Sequence, residues 1–94
     1  MRQWIKWSRS DEFVTERGEM PIENINDCLL DFRNAAQEYQ KKVNADHVIY
    51  AAEEYDDNGN LSMIRFYQNL GMDDKTFEDR TSLYKGKVYA IHKR

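Results

Sequence analysis

Ile25, Cys28, Leu29, Phe32, Ala36, Tyr39 and Val43 recur at spacings of three and four, and that stripe limits the folds open to this chain more than any other feature. Such spacing places apolar side chains on one side of an amphipathic helix. Asp27, Asp31, Asn34, Glu38, Lys41 and Lys42 fall on the opposite side. The pattern predicts a helix over 25–43, capped by Asn24 and stopped at Asn44, with Lys41 and Lys42 at the end where the helix dipole favours cations. An apolar stripe needs a surface to cover it. In a chain of 94 residues that surface is a sheet.

The strands are predicted from alternation. Residues 47–55 and 61–68 are rich in β-branched and aromatic side chains, and Asp56-Asp57-Asn58-Gly59-Asn60 joins them as a hairpin turn. A three-residue loop over 57–59, with Gly59 left-handed, pairs Ala52 with Ile64 and Tyr50 with Phe66. Val48, Tyr50, Ala52, Ile64 and Phe66 then form the face that meets the helix, and Glu53, Tyr55, Arg65 and Tyr67 form the face away from it. Residues 3–8 and 87–92 supply two flanking strands, and Asp73 caps a short helix running through Arg80. Residues 9–22 read as a surface connection punctuated by Gly18 and Pro21. The expected fold is a single α+β domain over 1–94, with a mainly antiparallel four-stranded sheet and one long helix on one face. Its order, β-α-β-β-(short α)-β, matches a ferredoxin-like arrangement.

Composition bounds the function. A chain this short buries roughly 60–68% of its extended surface, and twelve aromatic residues argue for a folded state despite a mean hydropathy of −0.92. Cys28 is the one cysteine, so no internal disulfide forms. No stretch approaches the roughly 20 apolar residues that span a bilayer, and residues 1–9 are broken by charge rather than built as a leader. These features point to the cytoplasm and to no membrane partner. The net charge of −3 is unevenly placed: residues 46–79 hold nine acids against Arg65 and Lys75, while Arg80, Lys85, Lys87, Lys93 and Arg94 follow with no acid among them.

No constellation of residues rises to a catalytic signature, so no enzyme activity, metal or cofactor is expected. Cys28 lies on the apolar stripe, where a thiol behaves as a small hydrophobe. His47 and His92 number two where zinc needs three or four ligands. The turn Glu54–Gly59 resembles the opening of a calcium loop, but its twelfth position is Arg65 where a bidentate carboxylate is required. Glu53 and Glu54 point to opposite faces of a strand. Asp56-Asp57 and Asp73-Asp74 belong to a turn and a helix start.

What remains is macromolecule binding. The leading expectation is a non-enzymatic domain that binds another protein, one with a basic surface, through Glu53, Tyr55, Asp56, Asp57, Arg65 and Tyr67. Small acidic single domains of this kind include toxin immunity proteins and phage or mobile-element inhibitors of host defence. The alternative is nucleic-acid binding, with Trp4, Lys6, Arg65, Tyr67, Lys87 and Tyr89 gathered on an open sheet face. A homodimer holding a small ligand between its subunits is a third reading.

Overall fold

The computed structural model describes residues 3–11 and 13–92. Five strands and two helices follow one another as β1 (Trp4–Ser10), β2 (Thr15–Pro21), α1 (Ile25–Val43), β3 (His47–Tyr55), β4 (Leu61–Met72), α2 (Asp74–Thr81) and β5 (Val88–His92). The strands form one sheet in the order β2-β1-β4-β3-β5. The α+β class holds. The four-stranded, mainly antiparallel sheet does not: there is a fifth strand, and β1 runs parallel to β4. A ferredoxin-like build would have β1 and β3 parallel with a strand between them, whereas here β3 is antiparallel to β4 and so runs opposite to β1.

The additional strand is β2, in the segment expected to be a connection. It pairs with β1 from Trp4↔Pro21 to Ser10↔Thr15. The two residues that looked like breakers have structural roles. Trp7 lies across Gly18, where a Cβ would fall 2.8 Å from the indole ring. Pro21 takes the last position of an edge strand, where a missing N–H costs little. Because β2 is antiparallel to β1, it runs parallel to β3. The connection through α1 therefore passes β1 and β4 to reach β3, and the helix packs over β4 and β3.

Helix α1 has the expected limits. It is entered through a 3-10 turn over Ile22–Asn24, so Asn24 is already helical (φ −85°, ψ −10°) and makes no side-chain cap bond. It ends at Asn44, left-handed at φ 53°, whose N–H reaches Gln40 O at 2.8 Å. Ala36, Cys28, Leu29, Phe32 and Tyr39 pack on Ile5, Met20, Val48, Tyr50, Ala51, Ile64 and Phe66. Phe32 stacks on Phe66 with 4.7 Å between ring centroids.

The β3–β4 turn forms as expected, but the strand register beyond it does not. Asp56 pairs with Asn60 through the N–H to O bond of 2.9 Å, and Gly59 sits at φ 82°. Ser62 is then bulged out, so that Ala52 faces Arg65, Glu53 faces Ile64 and Ala51 faces Phe66. A second irregularity follows between Ile49 and Ala51, opposite Tyr67, Gln68 and Asn69, with Asn69 left-handed at φ 64°. Extra residues change the phase of alternation. Tyr50 and Ala51 thus both face α1, and Ala52 turns away from it. The expected pairs Ala52–Ile64 and Tyr50–Phe66 are each displaced by one residue.

The sheet is covered on its other side as well. Val48 faces α1, so His47 and Ile49 point away. There Phe77 of α2 stacks on the His47 ring at 4.2 Å, and Ile49 and Ala52 have no exposed surface.

Candidate protein-binding site

The turn is held by Asp56, whose Oδ1 accepts the N–H groups of Asn58 and Asn60 at 2.9 Å each. This carboxylate satisfies its own turn. Asp57 is exposed beside it.

Upstream of the turn, Glu53 faces Ile64 and so stands on the α1 side. Its two carboxylate oxygens accept separate phenols, Tyr89 Oη at 2.6 Å and Tyr55 Oη. The bond to Glu53 pushes the Tyr55 phenol up in pKa; burial, then the same carboxylate, pushes up Tyr89. The Lys87 ammonium lies 4.6 Å from the centre of the Tyr89 ring. Gly86 passes so close to Glu53 that a Cβ would fall 2.0 Å from its carbonyl oxygen. Only glycine lets the segment before β5 approach β3 this closely.

Arg65 and Tyr67 alternate with Ile64 and Phe66 and stand on the opposite side. Arg65 Nε donates to Glu54 Oε1, and the Tyr67 and Tyr84 hydroxyls are 2.9 Å apart. Burial, followed by that bond, raises the Tyr67 pKa. The four residues expected on one face are therefore divided, Glu53 and Tyr55 on the α1 side and Arg65 and Tyr67 on the other, while Asp56 and Asp57 stand at the turn as expected. The bulge at Ser62 and the irregularity at Tyr50 are the cause.

The chain from Leu83 to Gly86 reconnects this end of the hairpin. A cavity of about 270 Å³ is lined by Glu53, Glu54, Tyr55, Leu83, Tyr84 and Gly86, among others. Leu83 is 82% exposed and Tyr55 42% exposed at its rim. Leu83 is among the members that sequence reasoning missed, with Glu54, Tyr84 and Gly86. It lies in a short turn with no periodicity, and an isolated leucine there gives no signal.

The six residues expected to form a nucleic-acid face are also divided. Trp4 and Lys6 alternate with core Ile5 and join Arg65 and Tyr67 away from α1, while Lys87 and Tyr89 are on the α1 side. Lys93 and Arg94, counted in the basic segment, lie outside the described residues.

Sequence reasoning also missed a polar chain across three elements. His47 Nε2 is 2.6 Å from Asp74 Oδ1, and its Nδ1 is 2.8 Å from His92 Nδ1. His92 meets the Phe77 ring edge-on. The two nitrogens that face one another can share only one proton. Among the described residues no three histidine, cysteine or acidic side chains are grouped to hold a metal. Burial, then Asp31 and Asp27, raise the Cys28 thiol pKa, and its Sγ lies 3.9 Å from Met20 Sδ.

Among the described residues no helix is long and apolar enough to cross a membrane. Compared with known proteins, the chain matches no family model, no curated protein and no solved structure.

Proposed function

We propose that this is a non-enzymatic, cytoplasmic domain that binds another protein through the hairpin end of its sheet, in the manner of an inhibitor or immunity protein. The observation that carries the reading is the pair Leu83 and Tyr55, two exposed apolar side chains flanking one cavity whose walls include Glu53 and Glu54. Apolar groups held in this way bring area that another surface can bury, and tyrosine is among the residues that anchor interfaces. Asp56 and Asp57 stand beside them and favour a partner with basic side chains around an apolar one.

The site's geometry selects the test. Proteins captured from native extract on the immobilised domain are identified by mass spectrometry, and binding to the purified candidate is measured. Tyr55→Ala and Leu83→Asp are expected to weaken that binding tenfold or more, about 1.4 kcal/mol or above, at an unchanged melting temperature. Asp57→Lys is expected to slow association, whereas Asp56 is unsuitable because it holds the turn. Normal binding by both Tyr55→Ala and Leu83→Asp, or salt-sensitive retention of single-stranded nucleic acid instead of protein, would overturn the proposal.

A further inference from the structure

The far end of β4 is open along one edge. Strand β1 pairs with β4 from Met63 to Tyr67 and stops at Ser10, while β4 continues to Met72. Among the described residues no strand pairs with Gln68–Met72 on that side, so the backbone groups pointing there have no ladder partner. A strand rises about 3.3 Å per residue, so this edge spans roughly 17 Å.

Natural sheets protect such edges with charge, proline or a bulge, and of these Gln68–Met72 has only the irregularity at Asn69. The β2 edge follows that rule, with Glu16, Arg17, Glu19 and Pro21 in seven residues. The sequence Gln68-Asn69-Leu70-Gly71-Met72 contains neither a charged residue nor a proline. Three adjoining cavities, of about 270, 300 and 290 Å³, follow this edge from Arg9 past Phe13 to Asp73. Their other wall is α1, through Phe32, Tyr39 and Val43. At the rim Phe13 is 90% exposed, held there by the N–H bonds from Phe13 and Val14 to Asp11.

The charge of the lining decides the occupant. Among the described residues, Asp11, Asp31, Asp46 and Asp73 line the groove against the single cation Arg9. Arg9 is already engaged: it donates to Gln68 Oε1 at 2.8 Å and lies over the Phe32 ring. Backbone N–H groups hold the carboxyls of Asp11 and Asp73 below the usual range, so both are anionic at neutral pH.

We infer that the Gln68–Met72 edge takes up an extended peptide with alternating basic and apolar side chains, which adds to the sheet as a strand in line with β1. Main-chain bonds to the edge supply affinity, the basic side chains enter the groove and meet its aspartates with their stems along α1, and the apolar ones, at the alternate positions, lie on the other face of the sheet. This surface is at the other end of β4 from Tyr55 and Leu83 and is independent of the proposal made for them.

The test titrates the isotopically labelled full chain with acetyl-Lys-Val-Lys-Val-Lys-amide up to about 1 mM, a concentration that detects affinities near −4 kcal/mol. Saturable amide shifts centred on Gln68–Met72 are expected, with slowed hydrogen exchange there. Asp31→Lys combined with Asp46→Lys should raise Kd at least tenfold at an unchanged melting temperature. The glutamate counterpart of the peptide, and a version N-methylated at the edge-facing amides, should not bind. Absence of binding, equal binding of either control peptide, or shifts at Tyr55 and Leu83 instead would overturn the inference. So would concentration-dependent dimerisation through the same amides without peptide, which would give the edge to a second copy of the chain.

Discussion

On the α1 side of the sheet, rings and aliphatic chains meet rings: Phe32 on Phe66, and Tyr50 beside Tyr89 at 6.0 Å. On the other side, contacts between polar groups are prominent. Asp74 meets His47 and His47 meets His92; Glu54 holds Arg65; Tyr67 reaches Tyr84. Ser8 is 1% exposed there, and its Oγ has no hydrogen-bond partner among the described residues. Removing apolar area forfeits transfer free energy and leaves a cavity. Exchanging one polar contact for water costs far less. One side of this sheet should therefore carry most of the stability, and the other should carry geometry.

Truncation at the ring stack tests that contrast most severely. Phe66→Ala is expected to cost roughly 3–5 kcal/mol in denaturant unfolding, and a loss below about 1 kcal/mol would break the comparison. Tyr67→Phe deletes one hydroxyl contact on the polar side and is expected to cost about 0.5–1.5 kcal/mol. It carries a pH signature too. The Tyr67 phenol is raised in the folded state, chiefly by burial. Stability from this group is complete below the ordinary phenol value near 10 and declines as pH climbs above it, because the unfolded chain loses that proton first. Urea titrations between neutral pH and about pH 11 should show a shallower decline in Tyr67→Phe. The smallest effect has the opposite sign. Ser8→Ala removes a buried unpartnered hydroxyl and should stabilise by up to about 1 kcal/mol; a clear loss would reveal a partner for Ser8.

The same two sides differ in how far they were legible. The α1 stripe is a local pattern repeated over nineteen residues, and its limits and inward side chains came directly from spacing. The turn was legible because Asp56 and Gly59 act within five residues. Register was not. Whether Ser62 bulges out is decided by what each phase buries across two strands, and no residue near it announces the choice. Strand β2 was hidden for a related reason: an edge strand exposed along most of its length has no alternation to display. The parallel β1–β4 pair has no turn between its members and leaves no local mark. As a result, Glu53 and Tyr55, singled out from the sequence, line one cavity, but the single face expected to carry them with Arg65 and Tyr67 does not form.

The position of β1 has a consequence for how the molecule is assembled. Its antiparallel neighbour β2 follows after a brief loop, yet its other neighbour contributes Met63–Tyr67 from far along the chain. Pairings between distant segments require a large loop to close before any contact rewards it, and such topologies fold slowly. A chain emerging N-terminus first presents Ile5 and Trp7 on a two-stranded ribbon that has no helix or third strand to lie against. Isolated ribbons of that kind are marginal in water. The first strand in the sequence is thus among the last to reach its final surroundings, and the interval before β4 arrives is when this chain is most exposed to self-association.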